Sequence, residues 1–405
     1  MDVLSFLAWA CLAPVVVGSL YALVCLVCVV MVRRQASVSP RIPANGWPAV
    51  TLLKPVHGLE KNLEQNLRSA CAQNYPDYQV VFSVQEETDP SIPLLKSLQR
   101  EFGSDRVTVV IEQCRAGTNG KINNLIGGLA KARHEILVIS DSDVSLGTDY
   151  LKAIVAPLDD PQVGFVCTFF KATSAGRWFE KMELLTMNAC YFPDTAFAYM
   201  TKTAKFCIGA SVAFRHSTLK DIGGFESLAD YFVEDYEMGR RIWEQGKKAA
   251  VAPYVVECTV DLKNPSQWWN HQVYWDQNSC TVRPIALFST LVLRAVPFAI
   301  LFAMFRSVDP FGLCVLGGAV AVRLVTAAGI MTYGLREPAR LQTLLLLPLR
   351  DIVGVVSLIL GLTQKTVVRR NKEFLLARDG RLIPMEVPLC ESSSSTQTTS
   401  ALLSR

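Results

Sequence analysis

From Val3 to Val32 the sequence runs without a single charged side chain, and Arg33-Arg34 follow at once. A helix of that length exceeds the roughly 30 Å of hydrocarbon in a bilayer, and so apolar a segment has no stable home on a water-facing surface. A cleaved signal peptide has a shorter apolar core behind a basic start, whereas here Asp2 precedes the run. The segment therefore reads as a signal anchor with its N-terminus outside, because basic residues flanking an apolar helix mark the cytoplasmic side.

The rest of the chain must be compatible with that anchor. Half of its 405 residues are apolar and mean hydropathy is +0.26, high for a wholly soluble enzyme. A net charge of +4 offers no electrostatic case for a nucleic-acid partner. The twelve cysteines are scattered without zinc-type spacing, and Cys25 and Cys28 lie inside the apolar run, which reads as reduced thiols.

After a Pro-punctuated linker (35–48), short apolar runs such as "VTLL", "YQVVFSV", "RVTVVI", "EILVIS" and "VGFVCTFF" alternate with helix-like segments, Glu60–Gln73, Ser91–Phe102 and Asn123–Ala132 among them. Buried strands separated by helices predict an α/β fold with a mostly parallel sheet covered on both faces. Three further apolar blocks follow, Ile285–Phe305, Phe311–Tyr333 and Leu341–Leu362, before a basic cluster at Lys365, Arg369, Arg370 and Lys372. If the globular region and this cluster are both cytoplasmic, an even number of blocks crosses. The first, with Arg294 and Pro297 inside it, is the expected interfacial or re-entrant one. The boundaries are thus an anchor (1–34), the linker (35–48), the α/β region (49–284), a membrane region (285–364) and a basic, Ser/Thr-rich tail (365–405) expected to be disordered at its end.

The run "EILVISDSDVSLG" ends a buried strand on Asp141 and Asp143. Two like charges so close raise each other's pKa unless a cation lies between them, and hard carboxylate oxygens suit Mg²⁺ or Mn²⁺ sharing phosphate ligands. The bland alternative is a turn with Asp141 as its cap and Asp143 in water. An Asp-x-Asp also opens the haloacid-dehalogenase-type phosphatases, but there it begins the first strand. Asp89, in "TDP", ends another strand and suits either a nucleobase imide or an ordinary turn. Lys121, in "GTNGKINN", opens a helix and suits a diphosphate, met by its cation and by free helix N–H groups. "YFVEDYEMGRRIWEQG" reads as a helix starting at Glu234-Asp235 with Ile242 and Trp243 inward. Asp235 there is either a dipole partner or a general base. "PSQWWNHQVYWDQ" leads aromatics, including Tyr274 and Trp275, to the membrane blocks, as an interfacial belt or as a lipid pocket.

In this order, the motifs resemble those of family 21 and family 2 glycosyltransferases, with ceramide glucosyltransferases and hopanoid-associated glycosyltransferases nearest. The resemblance covers about Ala49 to Pro284 and implies a GT-A-like catalytic domain for region 49–284. It implies that Asp89 lies at the nucleotide, that Lys121 and Asp141 meet the diphosphate, that Asp143 completes a metal-binding Asp-x-Asp, and that Asp235 is the catalytic base. "LLKPVHG" and "FCIGASVAFR" match family segments. The last family motif, (Gln or Arg)-x-x-Arg-Trp, stands here as "HQVYW", so His271, Tyr274 and Trp275 are the expected substrate-side residues and the motif's arginine is missing. Lys121, Arg240 and Arg283 are the candidate replacements for that cation, with a partial charge on His271 as another. The implied reaction is inverting, Mg²⁺- or Mn²⁺-dependent transfer of a hexose, glucose first, from a UDP-sugar to ceramide on the cytosolic face. A hopanoid acceptor with UDP-N-acetylglucosamine is the near alternative, favoured by "GGFESLADYFVEDYEMGRR". A phosphatase or a non-catalytic membrane scaffold are readings from other classes.

Overall fold

The computed structural model describes residues 3–36, 40–203, 207–282, 284–369, 372–377 and 379–385. The Ser/Thr-rich end, Arg283 and Arg370 lie outside the described residues.

The apolar N-terminal run forms one helix, α1 (Val3–Ala36). The α/β region follows as β1 (Val50–Pro55), α2 (Leu63–Cys71), β2 (Tyr78–Val84), α3 (Ile92–Phe102), β3 (Val107–Ile111), α4 (Gly120–Leu129) and β4 (Ile136–Ser140). It continues through β5 (Val144–Ser145), α5 (Tyr150–Val155), β6 (Val163–Thr173), α6 (Trp178–Thr186), α7 (Phe192–Met200), β7 (Ser211–Arg215), α8 (His216–Asp221), α9 (Glu234–Glu244) and β8 (Lys248–Thr259). Every residue of β1, β2 and β4 is buried. Their continuous Val/Ile/Leu runs are what a strand covered on both faces requires.

The eight strands form one sheet in the order β3-β2-β1-β4-β7-β6-β8-β5. β3, β2, β1 and β4 are parallel. β7 then pairs antiparallel with both β4 and β6, β6 and β8 run parallel, and β5 pairs antiparallel with β8. The sheet is therefore mixed rather than mostly parallel, but the α/β class holds. Strand direction reverses at β4, which puts the segment after Ser140 at a switch point of the sheet, where open α/β sheets leave a crevice. In α9, Ile242 is fully buried as expected, but Trp243 is 44% exposed and faces outward.

The membrane region contains α10 (Pro265–Val282), α11 (Pro284–Val292), α12 (Ala295–Phe305), α13 (Pro310–Gly329), α14 (Leu341–Leu344) and α15 (Leu347–Thr363). Among the described residues three helical stretches are long and apolar enough to cross a bilayer: Val3–Ala36, Pro310–Gly334 and Leu341–Thr363. The block Ile285–Phe305 is broken at Arg294 into α11 and α12, of 9 and 11 residues. Each is too short to cross, since 11 residues rise only about 16 Å. The cysteines described are all free.

One feature of the basic tail departs from the sequence reading. Its first part forms an antiparallel sheet of β9 (Thr366–Arg369), β10 (Lys372–Leu376) and β11 (Leu382–Pro384). Val367, Phe374 and Leu382 pack with Phe232 and Tyr274 of the α/β region and α10. Main-chain bonds from Leu382 N to Asp230 O (2.8 Å) and from Phe232 N to Gly380 O (2.9 Å) fasten it in place.

Candidate active site

The end of β4 builds one wall of the site. Ser140 pairs with Ser211 of β7, and the chain turns through Asp141-Ser142-Asp143 before Val144 N closes on Asp141 O at 3.2 Å. Beneath this turn lies Lys54 of β1, a lysine with no solvent exposure. Its Nζ donates to Asp141 O and Val144 O, both at 2.8 Å, and to Ser140 Oγ at 3.2 Å. The ammonium thus spans both ends of the acidic turn. Burial holds its pKa down at about 8, against the opposing pull of Asp143 and Asp141. The readable signal for this residue was a lysine inside an otherwise apolar buried strand, "VTLLKP".

Asp141 and Asp143 differ in their surroundings. Lys121 Nζ sits 2.6 Å from Asp141 Oδ1, whereas the Asp143 carboxylate makes no hydrogen bond or ion pair among the described residues. Burial, then the charges of Asp141 and Glu60, push Asp143 up to about 7. Glu60, which accepts from Ser142 Oγ at 2.7 Å, is a third acid at this turn. An uncompensated carboxylate beside a second one fits a hard divalent cation. Among the described residues no group of three His, Cys, Asp or Glu side chains is arranged for a metal. Two protein carboxylates would leave the remaining positions to diphosphate and water, the arrangement Mg²⁺ favours.

Across from the acidic turn stand Lys121 and the start of α9. Lys121 Nζ is 3.7 Å from Glu234 Oε1 and donates to Gly209 O at 3.3 Å. Burial disfavours its charge, but Asp141 and Glu234 hold its pKa above the ordinary lysine value. Asn119 links the two walls: Oδ1 accepts from Lys121 N and Ile122 N, and Nδ2 donates to Glu234 Oε2 at 2.9 Å. This corrects the expected phosphate cradle. The first N–H groups of α4 are capped by Asn119, Gly117 N donates to Asn123 Oδ1, and Thr118 N donates to Asp230 Oδ1. The Lys121 cation, not those helix N–H groups, is what this loop has to offer an anion.

Asp235 packs against Gly209, where a Cβ would collide with the Asp235 carboxylate. Burial, then the charge of Glu234, push Asp235 up to about 7, poised between acid and base near neutral pH. Lys121, Gly209, Glu234 and Asp235 line a common cavity with Ile139. Gly209→Ala should displace the Asp235 carboxylate and lower kcat by up to roughly 100-fold, since misplacing a catalytic group by about 1 Å has that effect. Unchanged steady-state kinetics would refute this packing argument.

Asp89 is placed differently. It is nearly buried, accepts from Ser91 N (2.9 Å), Ser91 Oγ (2.6 Å) and Gly58 N (2.9 Å), and lies 3.5 Å from His57. Its oxygens brace the loop that leaves β1. Opposing burial, the Ser91 and Gly58 bonds keep its pKa below the usual carboxylate value.

On α10, His271 Nδ1 is 3.0 Å from Glu183 of α6, and Trp275 Nε1 donates to His271 Nε2 at 2.9 Å. A ring nitrogen that accepts carries no proton, so His271 is a neutral imidazole here with its hydrogen on Nδ1. Burial lowers its proton affinity, but Glu183 outweighs this and raises the pKa, so an acceptor in place of the Trp275 N–H would allow the charged form. Glu183 also receives Gln272 Nε2 at 2.5 Å. Trp275 joins Tyr191 and Phe170 in an aromatic cluster. Tyr274 turns toward Phe232, at 5.1 Å between ring centroids. Of the candidates for the absent arginine, Arg240 is engaged by Glu237 and Glu244. Lys121 is the cation standing at the acidic turn.

Similarity to known proteins agrees with this constellation. "Ceramide glucosyltransferase 3" of Caenorhabditis elegans is 22% identical over 356 residues, 83% of this chain and 74% of the relative. "Ceramide glucosyltransferase 1" of the same organism is 26% identical over 213 residues, 51% of this chain but only 44% of the relative's length. A solved mannosyltransferase from Pyrobaculum calidifontis, in complex with GDP-Man and Mn²⁺, aligns at a TM-score of 0.49 and 20% identity over 88% of this chain and 99% of that one. The phosphatase reading fails on topology, because Asp141 follows the fourth strand in chain order, at the centre of a mixed sheet. The model of glycosyl transferase family 21 matches residues 10–382. With a GT-A-like sheet whose switch point carries an acidic pair, a lysine and a buried aspartate, the chain belongs to glycosyl transferase family 21 and is a glycosyltransferase.

Proposed function

We propose that this enzyme transfers glucose from UDP-glucose to the hydroxyl of ceramide, with inversion, on the cytosolic face of a membrane. The observation that carries the reading is the apposition of Asp235, its proton affinity raised to about 7, and the Lys121–Asp141 pair, 2.6 Å apart. Asp235 takes the proton of the attacking lipid hydroxyl, and Lys121 meets the diphosphate. Asp141 and Asp143 are the residues that would hold Mg²⁺ or Mn²⁺. When bound, such an ion supplies Lewis-acid stabilisation of the leaving diphosphate. One base without a nearby nucleophilic partner is what an inverting displacement needs. Asp89 supports the nucleotide side by holding the loop after β1. Trp275, His271 and the aromatic rings around them form the acceptor side, next to α15. Arg33-Arg34 after α1 and Lys365 and Lys372 after α15 support a cytosolic site by the positive-inside rule.

The test is to incubate membranes containing the protein with radiolabelled UDP-glucose, UDP-galactose or UDP-N-acetylglucosamine, and with ceramide or a hopanoid polyol, with and without EDTA. EDTA-sensitive labelling of ceramide from UDP-glucose is expected. Label on the hopanoid alone would redirect the acceptor, and no lipid labelling with any pair would refute the reading.

A further inference from the structure

We propose that the outward face of the C-terminal sheet β9–β11 rests on the bilayer surface. The inward face is already occupied: Val367, Phe374 and Leu382 pack on Phe232. A strand alternates its side chains, so the neighbours of those residues point the other way. They are apolar too: Val368 is 62% exposed, Leu375 40%, Ile383 49% and Met385 45%. Such a cluster on a small sheet is an exposed apolar patch of the kind that marks a membrane or protein contact.

Register and connectivity favour the membrane as occupant. Thr366 pairs with Leu375, and Leu375 pairs with Ile383, so these three lie in one row across the sheet. That row is level with the first residue of β9. Gln364 and Lys365 separate β9 from Thr363, the last residue of the final candidate span, and two extended residues reach only about 7 Å. The outward row is thus held close to where the chain leaves the hydrocarbon. It continues the lipid-facing side of α15, where Val356, Ile359 and Leu362 are exposed. Charge agrees: from Lys365 to Arg381 the sequence has six basic residues against two acidic ones, the bias that attracts anionic headgroups. Gln277 Nε2, bonded to Thr366 O at 2.9 Å, anchors the sheet to α10.

The experiment uses the full-length protein in nanodiscs of phosphatidylcholine with or without phosphatidylserine. A benzophenone amino acid replaces Leu375, Ile383 or, as control, the exposed Lys96 on α3. Irradiation should give lipid adducts at positions 375 and 383 several-fold above position 96, increased by phosphatidylserine. Adduct yields equal to the control, or capture of a second copy of the chain or of its own C-terminal residues 386–405 in place of lipid, would overturn the proposal. All three positions are exposed, so the substitutions do not disturb a core.

Discussion

Asp235→Asn should lower kcat by roughly 10²–10⁴-fold, the usual contribution of a positioned general base, while the Kd for UDP-sugar shifts only a few-fold. Asparagine keeps the shape that fits against Gly209 but cannot accept the hydroxyl proton. Wild-type pH dependence should report the same group. Burial and the Glu234 charge push Asp235 up to about 7, so its basic form accumulates as pH rises through that value. kcat/KM should therefore climb through about pH 7 and flatten above it, and the residual activity of Asp235→Asn should lack that limb. Full turnover in the variant, or a wild-type profile flat from pH 5 to 9, would remove Asp235 as the base.

The second large effect is expected on stability. Lys54→Met keeps the apolar stem but deletes an ammonium that donates to Ser140 Oγ, Asp141 O and Val144 O. It also removes a buried cation under Asp141 and Asp143. Deleting one partner of a buried charge cluster typically costs about 3–5 kcal/mol. The loss should appear as a lower Tm in detergent and as weaker donor binding by calorimetry, because the acidic turn loses the group that ties its two ends. A methionine variant with unchanged Tm and donor affinity would show that the turn holds its shape without Lys54.

Some of this architecture was legible from local pattern. Uncharged runs can be counted without knowing the fold, and they mark the stretches long enough to cross a membrane. Arg294 inside the first C-terminal block correctly marked a break. Fully apolar strand runs predicted β1, β2 and β4. By contrast, β8 was hidden. Its twelve residues include Pro253 and Glu257, and its pairing with β6 slips between Thr168 and Phe169, so it lacks a clean apolar run. The short β9–β11 strands were read as tail because charge dominates their composition, while their inward side chains find an apolar partner only in Phe232.

The sequence by itself determined which segments are apolar enough to span a membrane, which strands are buried on both faces, and that two carboxylates end a central strand. Those properties depend on residues near one another along the chain, where periodicity and charge act directly. Only the tertiary structure decided what surrounds the carboxylates: Lys54, 87 positions from Asp141; Asn119, 115 positions from the Glu234 it joins; and Gly209, whose missing side chain leaves room for Asp235. Each of these contacts is set by strand order and by the antiparallel entry of β7 beside β4, so the proton affinity of Asp235 and the cation beneath the acidic turn exist only once the sheet has assembled.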